Sequence, residues 1–373
     1  MYEGRGRNQR NLILIYVFWL IPIVFSSVWL IYFKEAGLSN LDISLAYIMW
    51  PLSALFTIFA FSFAPSLDKR ALMACGALSA MISYIIILFF PPSFPLLALS
   101  FFIYGFSVFL FWVPFNILYF RGAVNSAATS STLYFSVSGL LSILLSVVGG
   151  LVLQRWGGFS FFLISALLFL PVVFLIFLLK EEQYKNNLNS CIKETKGFRT
   201  LNFLEGTTTG VLAGGTIVSL SLLDQPFYLG IFIAFVTIFS ILASFFMSYL
   251  SDKTKKRKLY INIFSVMTSL STILMFFYSN VITWAAFSGI RNFFSALFWP
   301  FTTAILVDNK RDLSLLMSGR EIFLNVGRVF GISVVILSIY ALGDVRFSFV
   351  FLGFLLLLYP FVLSFKKGKI TVS

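Results

Sequence analysis

The chain has 373 residues, 59% of them hydrophobic and 11% charged, with a mean hydropathy of +0.96. The net charge is +13, and there are two cysteines and no histidine. A chain this apolar cannot cover its own surface with polar groups, which excludes a soluble globular domain. Two cysteines make no disulfide framework or metal cluster, and the absence of histidine removes the commonest metal ligand and general base. No cofactor or metal is expected.

Read in chain order, the first apolar run, 11–32, follows a basic start, "MYEGRGRNQR". It is too long for a signal peptide and no small-x-small cleavage site follows it, so it reads as a retained span. Further runs follow at 41–63, 71–90, 95–119, 131–153 and 159–179. The prolines of "FPPSFP", 90–95, separate the third from the fourth. A polar stretch, Lys180 to Thr200, comes next. The second set lies at 203–223, 227–250, 259–278, 282–307, 315–341 and 347–365, with "SN" at 279–280 as a turn. Runs of about 18–25 residues match a hydrocarbon core of about 30 Å crossed as helix. Continuous rather than alternating apolarity favours helices, which satisfy their own backbone in lipid. The predicted fold class is all-α integral membrane: about twelve spans in two six-helix bundles, 1–180 and 201–373, joined by a linker at 181–200.

Successive connections alternate between basic and nearly uncharged. One side collects 22 Lys and Arg residues, among them Lys69, Arg70, Arg121, Lys253, Arg257 and Arg320. The other side has only Lys34, Arg155 and Arg346. That bias predicts a plasma-membrane protein with both termini and the linker in the cytoplasm. The scattered charge suits contact with anionic lipid, not nucleic acid.

The halves also repeat. "FAPSLDKRALM" after span two matches "FMSYLSDKTKKRKL" after span eight, aligning Asp68 with Asp252. "FWVPFNIL" in span four matches "FWPFTTAIL" in span ten, aligning Pro114 with Pro300 at nearly the same offset. An even number of spans per half makes the repeats parallel, an arrangement that places a substrate site between the halves near the midplane.

The acid-then-basic loop resembles the signature G-x-x-x-D-[RK]-x-G-[RK]-[RK] of the major facilitator superfamily. Ser248, Asp252, Lys253, Lys255, Lys256 and Arg257 carry it in the second half, with only the two glycine positions changed. The first copy keeps Ala64, Asp68 and Lys69 but has Ala71, Leu72 and Met73 in place of the glycine and basic pair. "SGREIFLNVGRVFG", 318–331, is similar to span eleven of many bacterial and archaeal members. The resemblance implies a monomeric solute transporter whose bundles rock about a central site. It also implies that Asp68, Lys69, Arg121, Asp252, Lys253 and Arg257 form a cytoplasmic gate, the acids capping helix ends and pairing with nearby basic groups. Of the family's antiporter glycine motif in span five only Gly149 and Gly150 remain, with Ser146 at the proline position, which argues against antiport.

Ionisable groups inside the membrane are costly, so they point to function. Arg291 lies about 14 Å into span ten and Arg328 about 19 Å into span eleven at the helical rise. Glu321, Asn325 and Arg328 share one helix face. One reading has Arg291 and Arg328 binding an organic or phosphorylated anion; the other has Arg328 paired with Glu321 and Arg291 with Glu205. Two unpaired cations in one place would repel without an anion between them. Trp112, Trp299, Trp19, Trp50 and Tyr16 are candidates to line the cavity, and Pro114 and Pro300 to kink their helices. Glu205 and Glu321 are the candidates for ion coupling; facilitated diffusion, or coupling through the substrate, is the alternative. No nucleotide-binding loop is present, and no polar cluster suits an enzyme. A drug, sugar or amino-acid exporter with structural arginines, and a non-transporting receptor or scaffold, remain open alternatives.

Overall fold

The computed structural model describes residues 2–62, 66–121, 127–184, 187–254, 257–308 and 312–365. α1 (Tyr2–Phe25) passes through a 3-10 turn, Ser26–Val28, into α2 (Leu30–Glu35), and together they make the first span. α3 (Asn40–Tyr47) and α4 (Met49–Phe61) make the second, and α5 (Lys69–Phe89) the third. The fourth is α6 (Phe94–Leu110) with α7 (Trp112–Phe120). α8 (Ala127–Leu167) holds the fifth span and the start of the sixth, which α9 (Leu170–Phe177) completes. Gly157, at φ 75°, breaks α8, and Gly149 before the break and Phe161 after it both meet Phe25.

The linker contains β2 (Gln183–Tyr184), paired antiparallel with β1 (Leu67–Asp68), and α10 (Leu188–Glu194). In the second half come α11 (Arg199–Leu222), α12 (Pro226–Thr254), α13 (Arg257–Leu274), α14 (Val281–Asp308), α15 (Leu313–Leu342), α16 (Arg346–Leu356) and α17 (Leu358–Phe365), the last two forming one span. Ten segments among the described residues are long and apolar enough to cross a membrane. One of them, Ser136–Phe177, holds two spans, and the Thr- and Gly-rich α11 is not among them. Twelve crossings in two bundles result, as the sequence predicts.

The helix ends have local causes. Ser39 and Asp42 form a reciprocal capping box at α3. Asp312 accepts from the amides of Ser314 and Leu315 at the start of α15. Gly343 closes that helix in the left-handed conformation that glycine adopts without steric cost. The two expected proline kinks differ. Span four is interrupted at Phe111, just after Leu110, whose carbonyl Pro114 four residues on has no N–H to serve. Pro300 sits inside an unbroken α14.

Lipid offers no hydrophobic drive for helices to associate, so close backbone contact must hold them. Small residues provide it in both bundles and between them. Gly206 and Gly210 of α11 face Gly327 and Gly331 of α15 so closely that a Cβ at any of the four would strike the opposing backbone. Both pairs have the four-residue spacing of a membrane-helix contact stripe. Across the bundle interface, Gly150 and Gly230 let α8 and α12 meet backbone to backbone, and Ser146 donates to the Gly230 carbonyl at 3.0 Å. Gly149 and Gly150, read above as remnants of an antiporter motif, therefore serve packing. Gly327→Val should prevent α11 and α15 from closing; fluorescence-detected size exclusion would show the folded peak lost or its unfolding temperature sharply lowered, with Gly215→Ala, whose added Cβ meets nothing closer than the Trp284 ring at 3.7 Å, as the mild control.

Candidate functional site

A cavity of about 170 Å³ lies between the bundles. Spans two, four and five supply Trp50, Trp112, Asn116 and Tyr134; spans ten and eleven supply Trp299, Arg320, Glu321 and Arg328. Its charged wall is a chain of ion pairs. Arg328 Nη1 reaches Glu321 Oε2 at 3.2 Å and Asn325 Oδ1 at 2.9 Å. Asn325 is itself held by donating to the Glu321 carbonyl at 2.7 Å. Glu321 Oε1 lies 3.5 Å from Arg320 Nη1, and Arg320 Nη2 pairs with Glu205 of α11. The Arg328 guanidinium also lies over the Trp50 ring, 5.1 Å from its centre, so one cation joins the two bundles.

The geometry follows from the glycine seam. Glu205 directly precedes Gly206, and Gly206 abuts the Leu324 carbonyl of α15. That approach brings an α11 carboxylate within reach of an α15 guanidinium. Two Arg and two Glu balance in charge, which is the condition under which four ions tolerate burial. Arg320 was absent from the sequence-derived site because it counts there as a loop cation. It lies instead two turns inside α15 and is buried. Tyr134 and Asn116, joined by a 3.0 Å hydrogen bond, were also missed. The adjacency of Arg320 to Glu321 was the one available signal.

Several expectations need correction. Arg291 and Arg328 do not share a site: Arg291 lines a separate cavity with Ser288, Asn292 and Trp284. Glu205 pairs with Arg320, not with Arg291. Trp19 is fully buried, stacked on Phe111 at 3.6 Å, and does not line the central cavity. Tyr16 is likewise core, stacked on Tyr134 at 4.7 Å and donating to its carbonyl. Asn325 is buried behind Arg328 as its positioner. Trp112 and Trp299 do line the cavity.

Residues 199–369 match the sequence model of the Major Facilitator Superfamily. The fold matches the Escherichia coli fucose:proton symporter FucP with a TM-score of 0.69 at 11% identity, covering 96% of this chain and 98% of that one. The second half of the chain thus carries the superfamily's sequence pattern, and the whole chain has its fold. It also matches the human organic anion transporter MFSD10 (TM-score 0.65, 13% identity, 96% and 99% covered). A transporter of the POT family, solved with a conjugated peptide, matches with a TM-score of 0.69 at 13% identity over 98% and 97% of the two chains. No curated protein matches the sequence. The family match over the second bundle and the fold of the whole chain support membrane solute transport.

The signature loop of the superfamily is described in its first copy. Asp68 caps α5 by accepting from the Arg70 amide at 3.1 Å, and the Glu182 amide donates to it at 3.3 Å. Lys69 pairs with Glu182, Arg121 reaches the same carboxylate at 2.8 Å, and Arg70 pairs with Glu181. These groups therefore tie the loop after span two, the end of span four and the linker to one another. Tyr184, next in the linker, bonds Ser318 of α15 at 2.6 Å and carries the tie into the second bundle. The side chains of Asp252, Lys253 and Arg257 lie outside the described residues.

Burial would raise the Glu182 carboxyl, but its bonds to Lys69 and Arg121 outweigh that and hold it below the ordinary value of 4.5. A depressed acid adds stability at pH above its unfolded value and loses it as pH falls through its folded value. Hydrogen exchange at the Lys69 amide, which donates to the Glu182 carbonyl, should stay protected from pH 7 to 5. After correction for intrinsic rates, protection should fall only below about pH 4, near and under the free glutamate value. Glu182→Gln should weaken it throughout.

Proposed function

We propose that this transporter carries a small organic anion by alternating access, with its binding site in the Trp-lined cavity between the bundles. Arg328 carries the reading. Its bonds to Glu321 and Asn325 use Nη1 alone, so among the described residues Nε and Nη2 are left to the cavity. A planar cation with a free edge recognises a carboxylate or phosphate oxygen pair. Trp50, Trp112 and Trp299 offer faces for the rest of the solute. The solved neighbours include a fucose symporter, an organic anion transporter and a peptide-bound transporter, so the fold does not select the substrate and the residues must.

Coupling follows from the ion chain. An anion arriving at Arg328 competes with Glu321, whose carboxylate is then held by Arg320 at 3.5 Å and by the Asn325 amide at 3.4 Å. A carboxylate left in the membrane interior without its counter-charge is costly unless another positive charge joins it. Glu321, backed by Glu205, is thus the proposed proton carrier for symport, in place of facilitated diffusion. The moving units are proposed as 1–180 and 201–373. The basic face is proposed to be cytoplasmic, with Asp68, Lys69 and Arg121 as part of its gate through Tyr184.

Uptake into proteoliposomes tests this. A small organic anion should enter faster at pH 6 than at 7.5 outside, and a neutral sugar should not compete. Arg328→Gln should cut anion uptake by about tenfold or more, the scale of one charge-assisted bond. Glu321→Gln should remove the pH dependence while counterflow persists. Undiminished anion uptake by Arg328→Gln would reject the anion reading. It would favour a neutral or zwitterionic solute, which the balanced charge of the ion chain would suit.

A further inference from the structure

The second cavity, about 170 Å³, lies among α11, α12, α14 and the Ser27–Leu30 stretch, and the central site makes no use of it. Arg291 is the only charged residue in its wall among the described residues. It is 4% exposed. Nη1 donates to Asn292 Oδ1 at 3.2 Å, while Nε and Nη2 have no partner among the described residues. A guanidinium does not escape its charge by losing a proton. An ion removed from water without a counter-charge carries a penalty of several kcal/mol. Something anionic must therefore sit against it for the site to be stable.

The chemistry of that anion can be read from what is free. Nε–H and Nη2–H form the side edge of the guanidinium plane and point the same way. Two parallel donors match the two oxygens of a carboxylate, and a spherical halide uses them less well. Ser288 Oγ, one turn earlier on α14, is also buried without a partner and lines the same cavity. Besides the hydroxyls of Ser27, Thr216, Ser219 and Thr237, the wall carries the apolar side chains Val236, Phe232, Met275 and Trp284. Trp284 is fixed in place by its indole N–H, which donates to Ser219 at 3.0 Å. We propose that this cavity is a second binding site, taking a small organic monocarboxylate with its head on Arg291 and Ser288 and its apolar body against Phe232, Met275 and Trp284.

The cavity adjoins the central one through a third void. A third void, about 280 Å³, shares Trp50 with the central cavity and Ser27, Leu30 and Thr216 with the Arg291 cavity. The proposed carboxylate site is therefore next in line to the central cavity, separated from Arg328 by shared walls.

Radiolabelled benzoate is a suitable probe, with chloride and benzamide for comparison. Binding is measured on purified full-length protein in the Arg328→Gln background, which removes the anion edge of the central site. Saturable benzoate binding is expected to persist there, to be lost about tenfold or more in Arg291→Gln, and to weaken in Ser288→Ala. Arg291→Lys, which keeps the charge and loses the two-pronged edge, should weaken benzoate as well. Without added anion, Arg291→Met should unfold at a higher temperature than wild type, because it removes an uncompensated buried charge. That readout holds the test open if Arg291→Gln folds poorly. Benzamide binding as tightly as benzoate, chloride displacing benzoate at equal concentration, benzoate binding vanishing with Arg328 alone, or Arg291→Met proving less stable would each overturn the proposal.

Discussion

Four ions on two helices, three of them buried and Arg328 half-buried, set the conditions for much of this molecule. Glu205, Arg320, Glu321 and Arg328 form an unbroken chain of opposite charges from α11 through α15 to the central cavity. None would be tolerable alone in a membrane interior. Their mutual neutralisation depends on helix axes close enough for side chains to meet, and the Gly206–Gly210 and Gly327–Gly331 stripes supply that closeness. Packing and electrostatics are here a single constraint: widen the seam and the charges separate, remove a charge and its partner is stranded.

The two arginines make opposite use of the same rule. Arg328 is neutralised on one side and open on the other, and lies over Trp50 of the first bundle. Its counter-ion can be exchanged at modest cost, which is what reversible binding needs. Arg291 has an amide partner and no acid, in a compartment whose other walls are hydroxyl and hydrocarbon. Equal in charge and similar in depth, they differ because α15 carries Glu321 two turns before Arg328, while α14 carries no acid near Arg291.

The basic face obeys a different logic. There the charges meet water, and single pairs are worth little. What holds the loop after span two is the sum of a capping acid, a short β pairing and three basic groups gathered on Glu181 and Glu182. Two linker acids that read as unremarkable polar sequence are thus the partners of the first signature copy.

Span number, span limits and the two-bundle plan were legible in the chain, because apolar runs of membrane length have few other fates. The Glu321–Asn325–Arg328 face was legible too, since it depends only on helical periodicity within one segment. Trp19 and Tyr16 were misplaced for the complementary reason: periodicity says which residues share a face, not which neighbour covers it, and here the fourth and fifth spans cover both. Arg320, near the start of span eleven, counts as a loop cation by sequence; Glu205 beside it across the seam makes it part of the buried ion chain. The sequence by itself determined what must lie in lipid and which charges lie deep. Only the tertiary structure decided which of those charges are paired, because pairing across helices depends on interhelical distance, and that distance is set by where glycines from distant segments come to face each other.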